Sequence, residues 1–353
     1  MIEIDIFPAS SESKGADAIL VRIGTFTYDS PSKNHQTVVL LDSGHKDMAE
    51  MIENHLIKYY YTNTIDYVFI THPDSDHISG LIQLLENKKI SIKNSYIHDP
   101  WNHQLEIFKR SKDGRRTYNS IGTAFDDTLT KLSKTLDLLD NKNEEVFAGY
   151  KDEQNGLYIL GPSKSTYLKL LGEFPGMENE KTVSIESVYK SKKINYTIGL
   201  KHFLNNPETS PKNDSSIIIL LTDSDKKPIA LFTGDAGVKS LHEAIENAKK
   251  MKISVQNVKL MQLPHHGSIK NIDESLIKYI SPKSIFVSAP DKDPEHPSQL
   301  IINYLLHHGI HVSHINSHKS ICFSYDNSPL RPGWTSATKL DYYAEVFPLK
   351  DGL

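Results

Sequence analysis

Cysteine is almost missing: Cys322 is the single one in 353 residues. It allows no internal disulfide framework and no cysteine-rich zinc module, and a reducing cytoplasm is the expected compartment. Long apolar runs are missing as well. No stretch approaches the ~20 residues that a bilayer-spanning helix needs, so membrane insertion is not expected. The first residues, Met1-Ile2-Glu3-Ile4-Asp5-Ile6-Phe7, alternate like a strand and carry neither a basic leader nor an apolar signal core. Strong charge of either sign is absent too. Forty Lys and Arg stand against 44 Asp and Glu, a net of −4, so any pull towards nucleic acid must come from a local patch. What remains is an ordinary globular composition, 38% hydrophobic and 24% charged, enough for one large α/β domain or two small ones.

The order of elements is sheet first, then alternation. Ile2, Ile4 and Ile6 share a strand face, residues 15–22 form a second strand, and Thr37-Val38-Val39-Leu40-Leu41 a third that ends at Asp42-Ser43-Gly44. Residues 46–61 carry near-helical apolar spacing, Tyr67 to Ile70 is again a strand, and Ile78 to Leu85 a helix. Residues 98–155 read as an inserted cap, with a basic segment at 109–116 and a helix from Ala124 to Leu139. A second basic cluster lies at 190–193. Charge runs are usually solvated faces, and these two are weighed as backbone contacts for a polyanion. The second half repeats the pattern: a hairpin of 216–221 with 229–233, a helix from Val238, strands at 258–263 and 284–288, and a final strand pair around 310–326. Residues 1–326 read as one domain, and the tail 327–353, which holds Trp334, is unassigned.

Ligand-capable residues cluster just past strand ends. His72, Asp74, Asp76 and His77 follow Tyr67-Val68-Phe69-Ile70, Asp235 follows Ile229 to Thr233, and His265 with His266 follow Val258 to Leu263. Desolvating carboxylates and imidazoles side by side is costly unless a cation neutralises them. One sheet edge could bring the three groups together around two divalent ions about 3.5–4 Å apart. On this reading His72 and Asp74 serve one ion, Asp76, His77 and His265 the other, and Asp235 bridges. A water held between the ions, its pKa lowered towards neutrality, is the nucleophile. Singly, each of these residues is more often a cap or a loop hydrogen-bonder. Ser43 and Ser268 lack an accompanying base, which argues against serine catalysis.

His-x-Asp-x-Asp-His after a strand, then Thr233-Gly234-Asp235, then Pro264-His265-His266-Gly267-Ser268, resembles the metallo-β-lactamase fold, and most nearly the hydrolase domain of the ComEC DNA-uptake proteins. Gly15-Ala16-Asp17-Ala18-Ile19-Leu20, Leu41-Asp42-Ser43-Gly44, Asn213-Asp214-Ser215-Ser216 and His296-Pro297 follow that family's order. The resemblance covers about 1–326 apart from the insert. It implies a four-layer αβ/βα sandwich with metals at one sheet edge. Asp74 stands where the common form of the fold has His, which hardens the first site towards Mn²⁺ or Mg²⁺ over Zn²⁺. The usual third histidine on that ion is not evident, and Asp214 and His202 are the two candidates. Within the pair after the strand, His265 is favoured as ligand and His266 as a substrate or supporting contact. His296, by resemblance, lies over the site to stabilise or protonate the leaving oxygen, and Asp42 orients the ligand loop from beneath.

Three functional readings follow. The first is a metal-dependent phosphodiesterase cleaving nucleic acid, single-stranded DNA by preference, with Asp76, His266 and His296 in catalytic roles. The second is a hydrolase of a small molecule such as a cyclic nucleotide, lactone or thioester. The third is a non-catalytic subunit that meets protein partners through the insert or the tail.

Overall fold

Consecutive rather than alternate apolar positions mark the central strands, because such strands are covered on both faces. In the computed structural model, which describes residues 1–8, 15–103, 127–174, 209–290, 293, 295–315, 320–325, 327–329, 331, 332 and 334, β3 (His35–Ser43) and β9 (Ile218–Thr222) do this. Val38 and Leu40 of β3 point into one core and Val39 and Leu41 into another, and Ile218 and Leu220 of β9 alternate with Ile219 and Leu221 in the same way.

Two seven-stranded sheets result. The first has the order β14 (Ile321–Tyr325), β1 (Ile2–Ile6), β2 (Ala18–Thr25), β3, β4 (Thr64–Phe69), β5 (Ser91–Tyr96) and β6 (Asn143–Glu144). The second runs β13 (His311–Ile315), β12 (Ser284–Ser288), β11 (Leu260–Gln262), β10 (Pro228–Phe232), β9, β8 (Leu157–Gly161) and β7 (Lys151–Asp152). In each, antiparallel strands lead into a parallel block: β3 to β6 in one, β10 to β13 in the other. An apolar layer built from Ile4, Val21, Val39, Ile219, Leu221 and Phe232, among others, lies between the sheets. Helices α1 (Met48–His55), α2 (Ser75–Asn87) and α3 (Asp127–Leu139) cover the outer face of the first sheet, and α6 (Val238–Lys250), α7 (Glu274–Ile280) and α8 (Gln299–His307) that of the second. The short helices α4 (Lys164–Leu171) and α5 (Pro211–Asp214) lie between these groups in the chain. The expected αβ/βα sandwich is the architecture found.

Two local expectations change. The segment 98–155 was expected as an inserted cap, yet its described part is woven into the layers. Leu129, Leu132 and Leu139 of α3 are buried with α2 in one core, β6 extends the first sheet and β7 the second. The final strand pair separates: β13 runs parallel to β12, whereas β14 crosses over to pair antiparallel with β1. Each strand gains a sheet edge that a two-stranded hairpin would leave open. The basic segments 109–116 and 190–193 and residue His202 lie outside the described residues. No helix among the described residues is long and apolar enough to cross a membrane.

The packing of α2 on β3 rests on Gly80. Its backbone N donates to Gly44 O at 2.9 Å, Ser43 Oγ donates to His77 O at 2.7 Å, and Leu81 N donates to Ser43 Oγ at 2.8 Å. A Cβ at Gly80 would clash with the Ser43 carbonyl oxygen. On an open helix surface Gly80→Ala would stabilise by up to about 1 kcal/mol. Here the clash is with backbone and dominates, so we expect a net destabilisation of about 1–3 kcal/mol in urea unfolding.

Candidate metal centre

The C-terminal ends of β4, β10 and β11 converge on one edge, as parallel strands do when their loops carry a site. His72 lies three residues after the end of β4, Asp74 stands at the N-cap position of α2, and Asp76 and His77 already belong to its first turn. The ligand loop is therefore shorter than the sequence suggested, and His77 is held by helix geometry. Asp235 follows β10 in the turn Thr233-Gly234-Asp235, and Gln262 at the end of β11 fixes that turn by accepting from Thr233 N at 3.0 Å and Gly234 N at 3.1 Å. His265 and His266 follow β11 with φ of 49° and 54°. Two consecutive non-glycine residues in the left-handed region are strained, a condition that concentrates at functional sites. The turn sends both rings to the same centre.

Around Asp235 the donors divide by carboxylate oxygen. Oδ2 lies 3.7 Å from His72 Nε2 and 3.6 Å from His265 Nε2, and His72 Nε2 lies 3.6 Å from Asp74 Oδ2. Oδ1 lies 3.5 Å from His77 Nε2, which is 3.8 Å from Asp76 Oδ2, and that same Asp76 oxygen is 3.3 Å from His266 Nε2. Ligands about 2.1 Å from one ion stand roughly 3.0–3.4 Å apart; the gap between His266 and Asp76 already falls in that range, and the others are slightly wider, as an ion would draw together.

Behind every ring stands an acceptor. His77 Nδ1 is 2.8 Å from Asp42 Oδ2, His266 Nδ1 2.8 Å from Ser288 O, His265 Nδ1 3.1 Å from Asn271 Oδ1, and His72 Nδ1 3.2 Å from Thr71 Oγ1. Thr71 in turn donates Oγ1–H to Asp42 Oδ2 at 2.8 Å. A proton on each Nδ1 leaves each Nε2 as a lone pair aimed at the carboxylates. Hydrogen bonds of this kind set the tautomer of metal-binding histidines. Asp42 serves two of these supports with φ of 51°, itself a strained residue.

The donor set passes a direct test for a cation. His72 Nε2, His77 Nε2 and Asp235 Oδ1 are buried without a hydrogen-bond partner, each at a desolvation cost of about 1–3 kcal/mol. A pair of divalent ions, one facing His72 and the other His77 and Asp235 Oδ1, would satisfy all three. Protons otherwise do the neutralising. Burial opposes charge on His77, yet Asp42, Asp235 and Asp76 hold its imidazolium well above the usual range. Burial likewise opposes charge on His266, and Asp17, Asp76 and Asp235 outweigh it, raising the ring to about 10. Burial raises Asp235, and His265, His77 and His72 pull it far below the ordinary carboxylate range. Such a site exchanges protons for metal.

Asp17 was not foreseen in this company. Asp17, His77, Asp235 and His266 are all buried and each offers a ligand atom, all within 4.8 Å of one another. Asp17 Oδ2 accepts from Gln262 Nε2 at 2.9 Å, and its backbone N donates to Asp76 O at 3.3 Å. Gly15, two residues earlier, has a reason to be glycine: a Cβ there would come within 2.6 Å of the His266 ring. The signal in the sequence was an Asp immediately before an apolar strand, behind a glycine.

Asp214, weighed as a third ligand for the first ion, is engaged elsewhere. Its Oδ1 accepts from Gly237 N at 3.0 Å and Ser240 Oγ at 3.1 Å, which ties α5 to the start of α6. His265, assigned in the sequence to the second ion, instead shares Asp235 Oδ2 with His72. His266, assigned a supporting role, stands with His77 against Asp76. His296 lies beside them, its ring centroid 5.5 Å from that of His265, and its Nδ1 is 3.2 Å from Asp293 Oδ2.

Residues 33–159 match the Metallo-beta-lactamase superfamily. With the topology above, the chain has the metallo-β-lactamase fold, whose members are metal-dependent hydrolases. No curated protein matches the sequence. Similar solved structures include Igni18, a metallo hydrolase from the archaeon Ignicoccus hospitalis (11% identity, 92% of this chain and 100% of that one, TM-score 0.43). Others are the long form RNase Z from yeast (12%, 84% and 38%, 0.38) and YhfI from Bacillus subtilis (12%, 81% and 85%, 0.37).

Proposed function

We propose that this chain is a binuclear metal-dependent phosphodiesterase acting on nucleic acid, with single-stranded DNA as the preferred substrate. The observation that supports it best is the orientation of the four imidazoles: each offers Nε2 to a shared carboxylate centre and is held from behind at Nδ1. A site of idle polar residues has no reason to align four rings in this way. We assign His72, Asp74 and His265 to the first ion, and Asp76, His77 and His266 to the second. Asp235 bridges, and Asp17 stands within ligand range of the second ion. His265 then fills the place for which Asp214 and His202 were considered. Four carboxylates among eight donors favour a hard ion such as Mn²⁺.

Two such ions would supply an activated water and stabilise charge on the phosphoryl oxygens. The chain does the rest. Asp42 and Thr71 hold the imidazoles of His77 and His72, Asn271 holds that of His265, and Asp235 sets the spacing of the two halves. In this reading His296, its Nδ1 3.2 Å from Asp293 Oδ2, carries a proton to the leaving oxygen. The order of motifs, closest to that of ComEC-type domains, supports DNA as the polymer.

The test is cleavage of single-stranded DNA by purified protein with Mn²⁺, alongside duplex DNA, RNA, a cyclic nucleotide and a lactone. Asp76→Ala is expected to lower the rate at least about 10²-fold, the scale on which a transition-state contact acts, while circular dichroism keeps its folded signature. Undiminished cleavage by Asp76→Ala, or turnover of the lactone alone, would overturn the reading.

A further inference from the structure

Two lysines grip the ligand loop from outside it. Lys212, in α5, places Nζ 3.0 Å from Asp74 Oδ1 and 3.3 Å from Thr128 Oγ1. Lys131, three residues beyond Thr128 in α3, donates from Nζ to Ser75 Oγ at 2.7 Å. Thr128 and Lys131 lie one turn apart in α3.

The placement matters because of the charge it offsets. Asp74 splits its oxygens: Oδ2 stands 3.6 Å from His72 Nε2, and Oδ1 faces Lys212. One carboxylate therefore separates the lysine from the centre. Asp17, Asp42, Asp74, Asp76 and Asp235 gather there, and their five charges exceed the four of two divalent ions. An anionic substrate would meet residual negative charge unless cations stood at the rim. The net charge of −4 shows that the chain as a whole supplies no such field. Lys212 keeps only 15% of its side chain exposed and Asp74 28%. A largely desolvated ammonium is worth more to an arriving phosphate than one on open surface.

We infer that Lys131 and Lys212 form a phosphate-binding rim that takes the backbone of a polynucleotide beside the scissile group, which makes the ligand class a phosphodiester chain rather than one small phosphodiester. The inference rests on the phosphodiesterase reading for its scissile group, but its binding step can be measured separately. The competing role is neutralisation of Asp74 and nothing more.

Binding of fluorescein-labelled oligothymidylate to the full chain is followed by anisotropy over a range of salt concentrations, in Ca²⁺ to hold back turnover. Lys131→Gln and Lys212→Gln keep a donor for Ser75 and Asp74 and remove the charge. Each lysine contact to a single strand contributes about 0.7 to the slope of log K against log salt, so the double variant should lose about 1.4. Lys→Arg at both positions should restore the slope, since the charge returns. Metal content measured on the same samples should match the unaltered protein. An unmoved slope, or lost metal with an unmoved slope, overturns the rim. Absence of Mn²⁺-dependent cleavage by the unaltered protein overturns the phosphodiesterase reading instead, and a slope that still falls would keep the rim as a polyanion site.

Discussion

Asp235→Asn should cost the site one ion and loosen the other. Asp235 is the residue whose two oxygens face both donor groups, at 3.6 and 3.7 Å through Oδ2 and 3.5 Å through Oδ1. An amide offers one weaker oxygen and turns its NH₂ towards His77 or towards His72 and His265. Donor then meets cation, and one half of the site is lost outright while the other is weakened. Replacing a residue that only supports a ligand costs about 10–100-fold in metal affinity or activity. Asp42→Asn, which disturbs His77 Nδ1 at 2.8 Å without touching a metal position, should fall inside that range, and Asp235→Asn beyond it. Elemental analysis after desalting and calorimetric titration with Mn²⁺ would rank the two. Equal losses would mean that Asp235 supports the site and does not bridge it.

The same residues show how far the sequence could be read. His72 to His77 and Asp235 were legible because their signal is local: a strand ends and ligands follow. The placement of the His265 and His266 rings was not, since it depends on two successive left-handed residues that no pattern of residue types announces. Asp17 escaped because its partners lie 60 to 249 positions away and meet it only when β2 lies against the ligand loop. Lys212 was hidden for the same reason, being 138 positions from Asp74. The strand over residues 2–6 is found as read, but how deeply it is buried was not legible. Alternation in Ile2-Glu3-Ile4-Asp5-Ile6 ordinarily marks a strand with one wet face. Here both faces are dry, with Glu3 and Asp5 fully buried, because the end of α1 and a residue of the supposed tail cover the polar side.

Arg331 is that residue, and replacing it should be the most destabilising single change in the chain. The domain boundary read at 326 leaves it outside, yet its guanidinium is buried against β1. NH2 donates to Asp5 Oδ2 at 2.7 Å and Glu3 Oε2 at 3.0 Å, and Nε donates to Tyr28 Oη at 3.0 Å. Tyr60 Oη donates to Asp5 Oδ2 at 2.7 Å, while Arg22 Nη1 stands 3.9 Å from Glu3. Two arginines thus balance two carboxylates in a dry layer. Arg331→Met leaves Glu3 with Arg22 and Asp5 with His55, and weakening the pairing of a buried charge costs up to about 3–5 kcal/mol. Burial pushes the Asp5 carboxyl up, but His55 and Arg331 together hold it far below the ordinary range. A lowered carboxyl pKa adds stability that is complete above the unfolded value of about 3.9 and drains away as pH falls towards the folded one. The unaltered protein should therefore lose stability steeply below about pH 4, where the unfolded chain takes up protons that the native Asp5 refuses. Arg331→Met should start lower and fall less, because its Asp5, left with His55, resists protonation less. Urea titrations at pH 3, 4 and 7 would separate the curves. Parallel pH dependences would show that Arg331 contributes packing against Tyr59 and Trp334, where its guanidinium lies 4.9 and 4.6 Å from the ring centroids, rather than charge.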